Sequence, residues 1–339
     1  MKILAYLNSD TRPLIRLMVS SAIALSLPLY AAEQKKTWID PVVAEKEDPD
    51  FSVQGEYLSS EGEIYGAQVV ALGGGKFDAY LLSGGLPGKG WNPETDKIHL
   101  EGQMEGGLCV FRAAAGVSKM QIEKSTLTLE KEDGKKFSLA RVVRTSPTLG
   151  AKPPTGAVVL FDGSSADLWE KGKMEKGLLT ATGATTKQTF GSYQLHVEFR
   201  TPYKPAARGQ GRGNSGIYHA GRWETQILDS FGLKGMQNEC GGIYSIATPK
   251  LNLCLPPLTW QTYDVDLTSA TFDAAGKRTA WPRITVRLNG VIIHENLELS
   301  KDFTPSAPLS TALTPAAGPV HLQDHGNPVM FQNIWILEK

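Results

Sequence analysis

Gly213 to Asp229 reads G-N-S-G-I-Y-H-A-G-R-W-E-T-Q-I-L-D. Apolar and polar residues alternate on either side of Ala220-Gly221, the pattern of two strands joined by a tight turn. With that dipeptide as the tip, His219 stands opposite Arg222, Tyr218 opposite Trp223, Ile217 opposite Glu224 and Ser215 opposite Gln226. Ser215, His219, Arg222, Glu224 and Gln226 then share one face, and Tyr218, Trp223, Thr225 and Ile227 form a core side. Polar groups gathered on one side of a strand pair are costly unless they are solvated or used. The hairpin, with Asn214 at its start, is therefore the candidate functional face. Asp229 lies five residues beyond Glu224, so strict alternation sends it to the opposite side unless a β-bulge intervenes.

Working outward from this hairpin, the chain from 157 onward reads as short strands at 177–182, 193–200, 261–267, 284–288, 291–294, 320–323 and 329–337. Leu288-Asn289-Gly290-Val291 is a two-residue hairpin signal. The last strand is apolar on both faces, as an interior strand is. Many short strands without a strong helix predict an all-β sandwich or jelly roll over 157–339. Residues 51–144 also read as strands, at 63–72, 76–82, 97–102 and 108–113, followed by a hairpin at Asp133-Gly134. They predict a small all-β accessory domain. Gly73-Gly74-Gly75 is followed by no Lys-Ser/Thr pair and reads as a turn rather than a phosphate loop. Trp91 reads as a packing cap.

Between these units, 145–156 contains Pro153-Pro154 and reads as a stiff linker. Residues 33–50, polar and punctuated by proline, read as a linker or loosely attached arm. Residues 1–32 have the form of an export signal: Lys2, Arg12 and Arg16, an apolar run from Leu17 to Leu29, then Ala31-Ala32. The run is short for a membrane span, so the expected mature protein is periplasmic or extracellular, with no span. Lys plus Arg and Asp plus Glu number 35 each, and no global field recruits nucleic acid. Two arginines in Arg208–Gly213 are too few for a phosphate-tracking surface. That glycine-rich loop is instead expected to close over a ligand. Export permits oxidation of thiols. Cys240 and Cys254 are a candidate disulfide, and Cys109 reads as a buried thiol. No paired Cys/His pattern for zinc is present.

E-T-Q-I-L-D at 224–229 resembles the acid-x-acid-x-x-acid strand of bacterial β-glucanases with the concanavalin-like jelly roll, with Gln226 in place of the middle acid. A wider resemblance links 157–339 to the 3-keto-disaccharide hydrolase family, formerly a domain of unknown function. It rests on L-F-D-G-S at 160–164, G-N-S-G-I-Y at 213–218, G-R-W-E-T-Q-I-L-D-S-F-G at 221–232 and C-G-G-I-Y at 240–244. W-Q-T-Y-D-V at 260–265, V-R-L-N-G-V at 286–291, L-Q-D-H-G at 322–326 and P-V-M-F-Q-N-I-W-I at 328–336 extend it. The resemblance implies a concanavalin A-like jelly roll and cleavage of glycosides oxidised to a ketone at sugar carbon 3. Such a site needs a base, a group that stabilises an enolate, and an acid. A divalent metal is a possible supplier of the second role. The residues matching the family's motifs allow Glu224 or His325 as base, Arg222 as enolate partner and Asp229 or Asp324 as acid or orienting group. Asn214, Gln226 and Gln323 would bind sugar hydroxyls. Read from the residues alone, Asp324 and His325 belong to an ordinary turn, and His196, His219, His294 and His321 carry no assigned role. The alternatives are a non-catalytic carbohydrate-binding module on the same fold and a glucanase acting on unoxidised glycan.

Overall fold

The computed structural model describes residues 36–339; the expected export signal lies outside the described residues. The first described residues are not a loose arm. Asp40 and Asp48 each cap a short helix whose first residue is proline, α1 (Pro41–Glu47) and α2 (Pro49–Val53). Asp-Pro supplies both the side-chain acceptor and the preset φ of a helix start. Trp38 pairs backbone to backbone with Tyr203 and donates from its indole to Glu47. The apolar anchors Trp38, Ala44 and Val53 are what turn the expected arm into part of the core.

The following strands are β1 (Gly55–Ser59), β2 (Tyr65–Gly73), β3 (Lys76–Ser83), β4 (Ile98–Glu105), β5 (Leu108–Phe111), β6 (Val117–Glu123), β7 (Thr126–Lys131) and β8 (Lys136–Val142). Each runs antiparallel to the next and β8 returns to β1, closing an eight-stranded barrel. Closure leaves no unpaired edge. Leu127, Leu129, Leu139, Phe77 and Leu81 alternate into its interior. β6 escaped the sequence reading because a bulge between Val117 and Lys119 interrupts its alternation. Gly73-Gly74-Gly75 is the β2–β3 turn, all three at positive φ. Trp91 packs against the Lys97 ammonium.

The remainder is a two-sheet sandwich. Its strands are β9 (Val158–Phe161), β10 (Trp169–Glu170), β11 (Met174–Glu175), β12 (Leu178–Thr180), β13 (Ala184–Thr186), β14 (Tyr193–Arg200), β15 (Ser215–His219) and β16 (Trp223–Ile227). They continue with β17 (Gln261–Thr268), β18 (Thr271–Phe272), β19 (Arg278–Ala280), β20 (Arg283–Leu288), β21 (Val291–Glu298), β22 (His321–Leu322) and β23 (Met330–Glu338). The larger sheet runs β11-β12-β23-β14-β17-β20-β21 with β9 also on β23, the smaller runs β10-β13-β22-β15-β16, and β18 and β19 form a separate ribbon. As its apolar pattern predicts, β23 is interior, paired with β14, β12 and β9. Asn289 and Gly290, both at positive φ, make the expected tight turn.

The expected linker at 145–156 is pinned to the larger sheet. Ser146 Oγ bonds Thr262 Oγ1 at 2.6 Å, Thr148 Oγ1 donates to Asp264 at 2.7 Å, and the Ala151 carbonyl accepts from Asn333 and Trp335. Beneath it, buried His196 lies between Asp264 (2.6 Å) and Glu198 (3.3 Å). Barrel and sandwich belong to one compact unit. Lys97 donates to the carbonyls of Gly232 and Leu233, and Arg212 to that of Ala71. Val70 of the barrel packs in the sandwich core, while Tyr203 packs in the barrel core.

The candidate disulfide is not formed. Cys109, Cys240 and Cys254 are free and buried. The Cys240 thiol meets the Tyr263 hydroxyl and the Cys254 thiol the Leu228 carbonyl. Burial in an apolar core accounts for them without a bond.

Candidate active site

β15 and β16 form the predicted hairpin, one residue out of the expected register. The loop is Ala220-Gly221-Arg222, with Ala220 and Gly221 at positive φ and the Arg222 amide donating to the His219 carbonyl. The pairs are Gly216 with Gln226, Tyr218 with Glu224 and His219 with Trp223. In strands a slip of one residue exchanges faces. Tyr218 therefore joins Glu224 and Gln226, while Ile217, Trp223 and Ile227 pack into the sandwich. His219 and Ser215 leave the expected polar face. His219 sits between the Tyr193 and Thr225 hydroxyls, its pKa lowered by burial to about 3. Ser215 bonds the Gln323 carbonyl.

β16 is the outer strand of its sheet, and the segment after it covers that edge. Gly241 donates to the Gln226 carbonyl, Gln226 to that of Gly242, and Tyr244 to that of Glu224. This pairing brings Tyr244 to the pocket that Glu224 also lines. Residues 302–312 cover the other side: Thr304 bonds both the amide of Glu224 and the carbonyl of Arg222. Gln210, Asn214, Glu224, Gln226, Tyr244, Pro305, Ser306, Gln323 and His325 enclose a small pocket of about 70 Å³.

Glu224 is 2% exposed, Asn214 and Gln226 each 1%. Glu224 Oε2 accepts from the Tyr218 hydroxyl at 3.0 Å, while Oε1 has no partner. Burial pushes its pKa up to about 7, against a smaller downward pull from Tyr218. Gly216 makes room for this carboxylate, since a Cβ there would stand 2.0 Å from Glu224 Oε1.

Three amides complete the wall. Asn214 Nδ2 donates to the backbone and side-chain oxygens of Gln210, Gln226 Nε2 to Gln210 Oε1, and Gln323 Nε2 to the Tyr218 hydroxyl. Their nitrogens are taken, and Asn214 Oδ1, Gln226 Oε1 and Gln323 Oε1 are buried without partners, like Glu224 Oε1. A buried polar atom without a partner is expensive. Here such oxygens gather at one pocket, which matches a ligand bearing several O–H or N–H donors.

Arg222 does not reach this wall. Its guanidinium donates to the carbonyls of Thr311 at 2.5 Å and Ala312 at 3.4 Å, holding the 302–312 segment in place. Asp229 does not join Glu224 either. No register shift interrupts the β15–β16 pairing, and Asp229 forms a buried ion pair with Arg212 at 2.7 Å. The expected bulge is absent because the strand ends at Ile227 and Arg212 claims the carboxylate. His325 lines the pocket rim. Asp324 is exposed and caps the Gly326 amide, an ordinary turn role. Tyr218, Tyr244, Gln210 and Ser306 were missed. The register slip hid Tyr218, and nothing local to their sequences points the other three at Glu224.

Among the described residues, no three His, Cys, Asp or Glu side chains gather as metal ligands. A cation here would meet Glu224 and the amide oxygens of Asn214, Gln226 and Gln323, an all-oxygen set that suits a hard ion such as calcium rather than zinc. Bound there, it would supply positive charge to a developing oxyanion.

A family model described as the 3-keto-alpha-glucoside-1,2-lyase-like domain matches residues 156–337. The chain belongs to this family. The match covers the sandwich and its pocket; the barrel lies outside it. A solved "putative glycosyl hydrolase" of Parabacteroides distasonis ATCC 8503 is 32% identical to the family member described here. That match covers 55% of this chain and 85% of the other at a TM-score of 0.50. A second from the same organism, also described as a "putative glycosyl hydrolase", is 19% identical over 58% of this chain and 98% of its own, with a TM-score of 0.40 that carries no argument. No curated protein matches the chain.

Proposed function

We propose that the protein cleaves glycosides that already carry a ketone at sugar carbon 3, outside the cytoplasm. The observation that carries this reading is a pocket with a single carboxylate, Glu224, poised near neutrality and surrounded by unpartnered acceptors. Ordinary glycosidases use two carboxyl groups facing across the bond, ~5–9.5 Å apart. Asp229, the second acid of the hairpin, is bound to Arg212 instead. This weighs against a glucanase on unoxidised glycan.

A ketone at carbon 3 removes the need for the second acid at the first step, because it acidifies the proton on carbon 2. Glu224 takes that proton, and the C–H electron pair is held as an enolate. The pair then forms the C1–C2 double bond as the carbon 1 substituent leaves with its own bonding pair. The leaving group takes up the proton held by Glu224, which returns to the carboxylate, and addition of water across the C1–C2 double bond of the enone completes hydrolysis. Asn214, Gln226 and Gln323 offer acceptors to sugar hydroxyls. The ketone oxygen is itself an acceptor, so it faces the donors of the rim: Tyr244, Ser306 and His325. Arg222, turned to Thr311, is replaced in that role.

The test is turnover of 3-keto-trehalose or a 3-keto-glucoside by purified protein, with and without added calcium. Glu224→Gln is expected to reduce kcat by about 10²–10⁴-fold while ligand binding survives. Activity of the wild type should rise with pH through about 7, as the carboxylate replaces the acid. Wild-type protein that binds these sugars and leaves them intact under every condition would identify a binding module instead.

A further inference from the structure

The pocket at Glu224, of about 70 Å³, is far smaller than a whole glycoside needs. Most of the substrate therefore lies outside it. Between barrel and sandwich runs a cleft of about 770 Å³, inside the ~300–1,000 Å³ range of small-molecule sites. Tyr80 on β3, Trp91 on the β3–β4 connection, Lys97 and His99 line its barrel side, and Met236 and Asn252 belong to the sandwich side.

The barrel side is held firmly. His99 stacks on Tyr80 with ring centres 5.2 Å apart and is fixed by Asp78 at 2.7 Å. The Lys97 ammonium stands 5.7 Å from the Tyr80 ring centre and 5.1 Å from that of Trp91. Its bonds to the carbonyls of Gly232 and Leu233 use two of its three N–H groups and leave one for a ligand oxygen. The Trp91 indole N–H is buried without a partner, a cost that an acceptor in the cleft would remove. The cleft thus sets donors beside aromatic surface, whereas the Glu224 pocket sets out acceptors. Lys97 is engaged by those carbonyls and Lys250 by Glu295, and the remaining charges, Lys234 and Asp96, oppose each other. A neutral ring bearing hydroxyl groups suits this lining better than an anion.

Residues 235–239 join cleft and pocket. The Glu239 carboxylate accepts from the Gly235 and Met236 amides, and the Glu239 amide donates to the Met236 carbonyl, closing a turn. Met236, 43% exposed, lines the cleft. Two residues on, the Asn238 carbonyl accepts from Gln210 and Gln226 at the pocket. Two residues of chain reach at most about 7 Å, so the two cavities share a wall.

We propose that this cleft is a saccharide subsite that receives the carbon 1 substituent of the glycoside: the sandwich cleaves, and the barrel recognises what leaves. The proposal rests on the reading of the Glu224 pocket as the place of cleavage. A sugar in the cleft meets the Trp91 and Tyr80 rings with its C–H groups and the Lys97 and Trp91 N–H groups with its oxygens.

The experiment compares wild type with Trp91→Ala in two arms. The first measures kcat/KM on 3-keto-trehalose, whose carbon 1 substituent is a sugar, and on methyl 3-keto-glucoside, whose methoxy group is too short to reach the cleft. The ratio of the two should fall about tenfold or more in the variant, chiefly through KM on 3-keto-trehalose. The second arm titrates unoxidised trehalose calorimetrically, which needs no turnover, and the variant should bind it about tenfold more weakly. An unchanged ratio in a folded Trp91→Ala protein overturns the proposal, as does trehalose binding that is absent from the wild type or equal in the two proteins. Should that variant not fold, Met236→Glu, a charge placed at the exposed shared wall, is expected to lower the same ratio; no change overturns the proposal. If the wild type cleaves neither substrate and trehalose binding still depends on Trp91, the reaction reading falls and the cleft stands as a saccharide site.

Discussion

Glu224 owes its chemistry to a neighbour with no side chain. Gly216 pairs with Gln226 across the hairpin, and its missing Cβ is the space in which Glu224 Oε1 stands. Gly216→Ala is expected to displace the carboxylate and reduce kcat at least about 10²-fold, the usual contribution of a positioned base. Stability should fall by about 1–3 kcal/mol, as for overpacking; parallel kinetics and urea melts check both. Full activity in this variant would mean that Glu224 is not the base. The identity of Glu224 and Gln226 as same-face residues was legible from alternation alone. Tyr218 was not, because Ala220-Gly221 signals a turn but does not say that Arg222 belongs to the loop. One extra loop residue moves every side chain of β15 to the other face relative to β16.

At the scale of elements, segments far away in sequence decide what the hairpin can do. Arg222, at the mouth of β16, grips the carbonyls of residues 311 and 312 and thereby holds the cover of the pocket. Arg222→Ala is expected to cost about 1–3 kcal/mol, the range for lost charged hydrogen bonds, and to raise KM more than it lowers kcat. An unchanged KM with a collapsed kcat would return Arg222 to the chemistry. The strap at 145–156 depends on another polar cluster. Burial pushes His196 down, but Asp264 and Glu198 outweigh it and its pKa is raised. Burial pushes Glu198 up, but His196, Asn333, Gln332 and Gly150 outweigh it and hold it at about 2. The Glu198 contribution is present above its ordinary value of 4.5 and is lost as pH falls toward about 2. The His196 contribution is present below 6.5 and is lost as pH rises through its raised folded value. Glu198→Gln should be less stable than wild type at pH 6 and should lose less stability between pH 5 and 2 (both set by that span). Chemical melts across that range check it, and identical pH slopes in the two proteins would refute it.

At the scale of the whole molecule, barrel and sandwich share side chains. Val70 sits in one core and Tyr203 in the other, and Arg212 joins Asp229 to the Ala71 carbonyl. Gly232, at φ +81°, presses against Val70 and Tyr80, with room for no Cβ. Unfolding of the two β units is therefore expected to be one transition, with far-ultraviolet dichroism and tryptophan fluorescence coinciding in denaturant; separated midpoints would mean independent domains. The sequence by itself determined the β class, the Asn289-Gly290 turn, the interior last strand and the family. Each is written in local alternation, turn chemistry or contiguous motif. Only the tertiary structure decided that Asp229 belongs to Arg212, that Arg222 braces a cover, that Cys240 and Cys254 stay thiols, and that Tyr218 shares a face with Glu224 and bonds it. Those outcomes depend on which distant oxygen or nitrogen arrives at a buried polar group, and burial makes such pairing compulsory without recording the partner in the neighbouring sequence.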